Sequence, residues 1–143
     1  MGDTGSLLLG VVAAILAIEF IETNHALQNS SLKFNSAPAV AIGILILPIY
    51  DTLRVFVMRI ITGRSPFSPD RNHIHHLLID SGLSHMKATT ILLMVNVLFI
   101  LFVVKLHYLS TFILLSITIT IAVILTSLLY LIARRKKMLR QSV

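Results

Sequence analysis

The chain has no cysteine and very little charge. Without cysteine, neither disulfides nor thiolate metal sites are available. Charged residues make up 13% of its 143 residues, against about a quarter in an ordinary soluble domain. Apolar residues make up 56%, and the mean hydropathy is +0.90. Lipid is therefore the expected solvent for most of the surface. Acidic residues are scarce, and the net charge is +6. That balance does not point to nucleic acid, because the positive charges flank apolar segments instead of forming one solvated face. No basic region precedes the first apolar run, which begins at Ser6 after Asp3, so no signal peptide is expected. Internal repeats and low-complexity linkers are absent as well.

What is present is apolar and long. Four segments qualify as membrane helices, at about 6–22, 37–58, 88–104 and 111–133. A bilayer core of about 30 Å needs about 20 helical residues, with about 17 at the short end. The second and fourth segments meet this easily, while the first and third need tilt or snorkelling ends. The expected fold is an all-α integral membrane protein with four transmembrane helices, a loop at 59–86 carrying a short interfacial helix, and a basic tail at 134–143. If the Asp3 end, the loop and the tail share one side, that side holds Arg54, Arg59, Arg64, Arg71, Lys87, Arg134, Arg135, Lys136, Lys137 and Arg140. The other side keeps only Lys33 and Lys105. The excess of positive charge makes the first side cytoplasmic. The polar link 24–36 and the turn near His107 then face outward. The tail acts as a stop signal that also meets anionic lipid.

Polar intrusions mark where this frame departs from plain hydrocarbon. Pro48 lies inside the second segment and predicts a kink there. Asp51 and Arg54 follow at i and i+3 and share a helix face. They read either as a local ion pair or as groups lining a cavity on the cytoplasmic side, since ionisable groups at membrane depth are costly. Glu19 and Glu22 make a similar pair, best explained by snorkelling to water. Asn96 is the main polar residue of the third segment and suits an interhelical hydrogen bond.

The most polar stretch is Ser65-Pro66-Phe67-Ser68-Pro69-Asp70-Arg71-Asn72-His73-Ile74-His75-His76-Leu77-Leu78. Pro66 and Pro69 break any helix leaving the membrane, and Gly63 can cap it. A new helix is expected to start near Asp70 or Arg71, with Asp70 as N-cap, and to end at Ser81-Gly82. Ile74, Leu77 and Leu78 recur at i, i+3 and i+4, as in a helix lying on the membrane surface. On such a helix His73 and His76 share a face, while His75 points about 200° away from His73. One regular helix therefore cannot aim all three at one metal ion. The histidines read either as filler on a solvated helix or as anion ligands. Arg71 offers a planar fork, the histidines donate, and a helix N-terminus adds free N–H groups. A phosphorylated ligand fits this set best.

At the start of the chain, Gly2 and Gly5 flank Asp3 in a tight turn at the cytoplasmic mouth of the first segment. Asp3 suits a helix cap, and it equally suits Mg²⁺, which takes one or two carboxylates plus phosphate oxygens. Asp3 and the histidine loop fall on the same side of the membrane. A metal carboxylate and a basic loop facing one cavity are the parts that phosphoryl transfer requires.

These residues resemble the polyprenyl-phosphate N-acetylhexosamine-1-phosphate transferases, and within them the undecaprenyl-phosphate N-acetylglucosamine-1-phosphate transferase branch. M-G-D-T-G-S-L is similar to the family's M-G-D-x-G-S-L motif, whose aspartate is implicated in Mg²⁺ binding and catalysis; the resemblance carries that role to Asp3. D-R-N-H-I-H-H-L-L resembles the H-x-H-H loop that binds the nucleotide-sugar, which carries to His73, His75 and His76, with Arg71 and Asp70 adjacent. P-I-Y-D-T-L-R-V resembles the same branch around Asp51 and Arg54. The implied reaction moves a sugar-1-phosphate from a UDP-sugar to undecaprenyl phosphate and releases UMP, with Mg²⁺, or Mn²⁺ in its place. The implied setting is the bacterial inner membrane, in cell-surface polysaccharide or cell-wall synthesis. Family members have many more spans, and their aspartate-rich motif has no counterpart here. The chain is thus expected to be a C-terminal part, inactive alone, whose protein partner is the missing N-terminal half or a second copy. A non-catalytic remnant or helper packing against a full transferase is the alternative.

Overall fold

A computed structural model describes residues 3–27, 30–63, 65 and 73–141. It holds six helices: α1 (Asp3–Ala26), α2 (Ala37–Ile44), α3 (Ile46–Ile61), α4 (Ile74–Asp80), α5 (His85–Lys105) and α6 (Thr111–Gln141). Among the described residues there is no strand. Three helices are long and apolar enough to cross a bilayer, and α2 with α3 makes a fourth if the bent pair is one span. The expected all-helical membrane architecture is thus present, with that one span open to two descriptions.

The second segment is broken, not merely kinked. α2 and α3 meet at Leu45 with a bend of 70°. The break falls one turn before Pro48, and proline chemistry places it there. In a continuous helix the Pro48 ring would clash with the carbonyl of Ile44, four residues earlier. Ending α2 at Ile44 removes the clash. Pro48 then lies in the first turn of α3, where its missing N–H has no intrahelical partner to lose.

α2 is the centre of the bundle and packs on α1, α5 and α6. Its small residues allow this. Ala39 is fully buried, and a Cβ placed on Gly43 would overlap the side chain of Val103 on α5. Close backbone approach over small residues is how membrane helices gain packing energy without a hydrophobic driving force. The core is layered along the bundle. Ala39, Val40, Val103 and Leu114 form one layer, Ile46, Phe99 and Ala122 the next, and Ile74, Leu78 and Ala88 the last.

At one end the link 24–36 is tied to the α5–α6 turn. Asn24 Nδ2 donates to the Phe34 carbonyl at 2.9 Å, and the Phe34 N–H donates to Asn24 Oδ1 at 2.7 Å. Ser36 Oγ donates to the His107 carbonyl at 2.8 Å. The Phe34 ring packs against Phe20 and edge-on to His107. The link and the His107 turn therefore share one end, as the charge pattern requires. Glu19 and Glu22 are exposed near it. α1 runs 24 residues away from this end, or about 36 Å, so Asp3 lies at the opposite end.

That opposite end carries α4. It starts later than expected, at Ile74, with His73 as N-cap in extended conformation. Its amphipathic face does not lie on lipid. Ile74 and Leu78 are buried against Ala88 of α5, because α5 and α6 offer an apolar wall there. It ends as the sequence predicts. Gly82 has φ 97°, its N–H donates to Ile79 O, and the Leu83 N–H donates to Leu78 O. This pair of bonds is a Schellman cap. Gly63 closes α3 at φ 68°, with its N–H donating to Ile60 O. The predicted tail at 134–143 is instead a continuation of α6 to Gln141.

Candidate functional site

Asp51 organises the described part of the site. The bend at Leu45 carries the second turn of α3 across to the start of α4. There Asp51 Oδ1 accepts from the backbone N–H of Ile74 at 3.2 Å. Asp51 Oδ2 lies 3.0 Å from His73 Nδ1. Arg54 Nη2 donates to Asp51 Oδ1 at 3.2 Å. One carboxylate thus does two jobs. It pairs with Arg54 as the i, i+3 spacing predicts, and it supplies the N-terminal cap that α4 lacks from its own sequence. Arg54 in turn stacks over the ring of Tyr130 on α6, 5.4 Å from its centroid. The network α4–Asp51–Arg54–Tyr130 ties three helices together.

The histidines split into two groups. His73 is held by Asp51 and does not share a helical face with His76, because it sits at the N-cap outside the helix. The rings of His75 and His76 are 5.8 Å apart, and His75 is 5.9 Å from the ring of His85. His85 has no place in the H-x-H-H pattern. It reaches the site because the Gly82 turn folds the first residue of α5 back beside α4; a glycine three residues ahead of a histidine is the only sequence signal for it. Asp70 and Arg71 lie outside the described residues, so the expectation that Asp70 caps the helix falls there too.

A cavity of about 270 Å³ opens between α3, α4 and α5. Asp51 and His75 line it together with Leu47, Pro48, Ile74, Leu92 and Asn96. Asp51 is therefore both an ion-pair member and a cavity-lining group. Asn96 departs from expectation. Its Oδ1 is buried and accepts no hydrogen bond, so it does not link two helices through that atom. Asn96 is also a polar residue among the mostly apolar lining of this cavity.

Mg²⁺ asks for one or two carboxylates plus phosphate oxygens. Asp3 is at the same end of the bundle as α4, and its side chain lies outside the described residues. Among the described residues no three His, Asp or Glu side chains gather to hold a metal ion. Asp51 is already committed to Arg54, His73 and Ile74. The described residues thus form no metal site of their own, and the side chains of Asp3 and Asp70 lie outside them.

The chain is similar to known proteins. The chain is 36% identical over 88 residues to an undecaprenyl-phosphate alpha-N-acetylglucosaminyl 1-phosphate transferase of Yersinia pestis, covering 62% of this chain and 22% of that protein. It is 35% identical over 95 residues to a decaprenyl-phosphate N-acetylglucosaminephosphotransferase of Mycolicibacterium smegmatis, covering 64% and 23%. A Haemophilus influenzae protein with the same name as the first is 34% identical over 96 residues, covering 67% and 25%. Over this stretch the chain is homologous to the polyprenyl-phosphate N-acetylglucosamine-1-phosphate transferases. It spans about a quarter of the length of the curated relatives it matches. No family model matches the chain, and no solved structure does. The homology meets the resemblance that the M-G-D and H-x-H-H motifs carry.

Proposed function

We propose that this chain carries the nucleotide-sugar end of a sugar-1-phosphate transferase site. The observation that carries the reading is the homology to N-acetylglucosamine-1-phosphate transferases. Its support in the structure is a histidine segment pinned by Asp51 at the same end of the bundle as Asp3. In the proposed reaction an oxygen of polyprenyl phosphate attacks the β-phosphorus of UDP-N-acetylglucosamine. The bond from that phosphorus to the bridging oxygen breaks, and UMP leaves with the electron pair. A polyprenyl-diphospho-sugar remains in the membrane.

Each residue type has a part in this. His75 and His76 present ring nitrogens that donate to phosphate or base edges, His73 brings a third ring to the same segment, and Arg71 supplies a planar fork for phosphate oxygens. Asp51 and Arg54 hold the segment in place. Asp3 is the carboxylate we assign to Mg²⁺, with Mn²⁺ as a substitute. The bound metal would neutralise charge on the diphosphate. We place both termini and the 59–86 loop on the cytoplasmic side of a bacterial inner membrane, where UDP-sugars are found. The positive residues gathered at that end support this orientation.

Binding tests the reading directly. The purified chain in nanodiscs is expected to bind UDP-N-acetylglucosamine saturably by calorimetry, and to lose affinity when Arg71 and His76 are replaced together by alanine. Absence of saturable binding refutes it. We further infer that polyprenyl phosphate and UDP-sugar are not turned over by this chain alone, since it matches only a quarter of its relatives' length. UMP release by the purified 143-residue chain would overturn that inference. The same coverage supports a second reading, a non-catalytic subunit that packs against a full transferase. That reading predicts co-purification with a full-length relative and no nucleotide-sugar affinity.

A further inference from the structure

We propose that Asp51 is a positioning residue that sets the tautomer of His73, so that His73 offers a ligand its Nε2 as a proton acceptor and not as a donor. The inference deepens the nucleotide-sugar reading above and rests on it for its functional arm only. An ionised carboxylate accepts hydrogen bonds and cannot donate them. Asp51 Oδ2 is 3.0 Å from His73 Nδ1, so in neutral imidazole the proton sits on Nδ1. Nε2 then keeps its lone pair. The identity of the proton-bearing nitrogen is fixed by the hydrogen bond that the other nitrogen makes or lacks.

The geometry restrains more than the ring. The same carboxylate accepts from the Ile74 N–H through Oδ1 at 3.2 Å, so the backbone of residue 74 and the ring of residue 73 hang on one side chain. Arg54 Nη2 donates to the same Oδ1 at 3.2 Å and helps to hold that carboxylate. His73 itself is only half-buried, with 38% of its side chain exposed. Its ring thus remains reachable from solvent while Nδ1 is occupied. His75 and His76 have no such carboxylate partner among the described residues. In an anion-recognition segment the three histidines are therefore not equivalent. His75 and His76 are free to donate from either nitrogen, whereas His73 accepts. A segment of this kind suits a ligand that presents both acceptors, such as phosphate oxygens, and a donor, such as a ribose or sugar hydroxyl or an imide N–H. We assign His73 to the donor of the nucleotide-sugar.

Asp51→Asn tests this with little change in shape. An Asn at 51 can keep the Ile74 cap through its carbonyl oxygen, but its NH₂ donates to Nδ1. That reverses the tautomer and leaves the proton on Nε2. The full chain, labelled with ¹⁵N-histidine and held in nanodiscs at a pH where the imidazoles are neutral, reports this through ring ¹⁵N shifts, with the His73 signal identified by its loss in His73→Gln. The expected result is Nδ1–H in the parent chain and Nε2–H in Asp51→Asn, with His75 and His76 unmoved. An Nε2–H or rapidly exchanging His73 in the parent chain, or no change in Asp51→Asn, overturns the proposal. Titration with UDP-N-acetylglucosamine forms the second arm. Asp51→Asn is expected to weaken binding about tenfold, by analogy with the loss of a carboxylate that orients a metal-bound histidine, while the chain stays folded with its melting temperature lowered only by the lost Arg54 ion pair. Equal binding by the two proteins overturns the assignment of His73 to the ligand's donor. A tautomer change with no binding by either protein upholds the positioning role and refutes the nucleotide-sugar reading instead.

Discussion

Both ends of this bundle solve the same problem with one side chain, and they solve it differently. At one end Asn24 pairs with both backbone groups of Phe34, and aromatic rings from Phe20 and His107 seal the contact. Asn24 is 7% exposed. Its amide oxygen and nitrogen are each used on Phe34, and the contact is neutral. At the other end Asp51 holds His73, the Ile74 N–H and Arg54 beside a cavity that Asn96 also lines. Here ring nitrogens are left over. An end that consumes its polar groups is a fastening. An end that keeps some in reserve is the place for a ligand.

Substitutions should separate the two ends by what they change. The largest effect is expected at the end that carries Asp3 and α4. In a complete transferase carrying this sequence, Asp3→Asn should lower the rate of UMP release about 10²–10³-fold, the scale for losing one electrostatic contact to the transition state. Its melting temperature should not move. Unchanged turnover would remove Asp3 from the site. Between the ends, Gly43→Leu should destabilise the bundle by about 1–3 kcal/mol, read by thermal or denaturant unfolding in detergent. Val103→Ala in the same chain should restore part of that loss, since Val103 is what the new side chain meets. No rescue would mean that α2 and α5 do not approach as closely as described.

At the end that carries the 24–36 link, Asn24→Ala should cost about 1–3 kcal/mol, because it strands the N–H and carbonyl of Phe34. Affinity for UDP-N-acetylglucosamine should stay the same; a weakened affinity would erase the distinction between the two ends. The smallest effect is expected from His76→Ala. It is exposed on α4, and its loss should weaken nucleotide-sugar binding about tenfold, or about 1.4 kcal/mol, without altering unfolding. A drop in stability of similar size would mark His76 as part of the fold.

Much of this was readable from residue order. Apolar runs gave the long helices, because length and hydrophobicity are what a bilayer selects. Charge asymmetry put the 24–36 link and the His107 turn together, and the hydrogen bond from Ser36 to His107 bears that out. Gly63 and Gly82 mark helix ends because each adopts positive φ. The errors share a cause. The break at Leu45 precedes the proline that produces it, since a proline ring clashes one turn back. Asp51 caps a helix 23 residues further on, and no local pattern announces a cap supplied from another helix. For the same reason His73 leaves the helical face and His85 joins His75.

The 70° bend at Leu45 also has a consequence for how the chain fits its solvent. α2 and α3 together hold 24 residues in helix, and laid straight these would measure about 36 Å. A hydrocarbon core is about 30 Å thick, so a straight rod would protrude by about a turn. Shared equally between its halves, the bend tilts each by about 35° and shortens their combined rise to about 29 Å. Taken as one span, the broken pair would thus match the bilayer thickness, and the break turns Asp51 sideways toward the histidines.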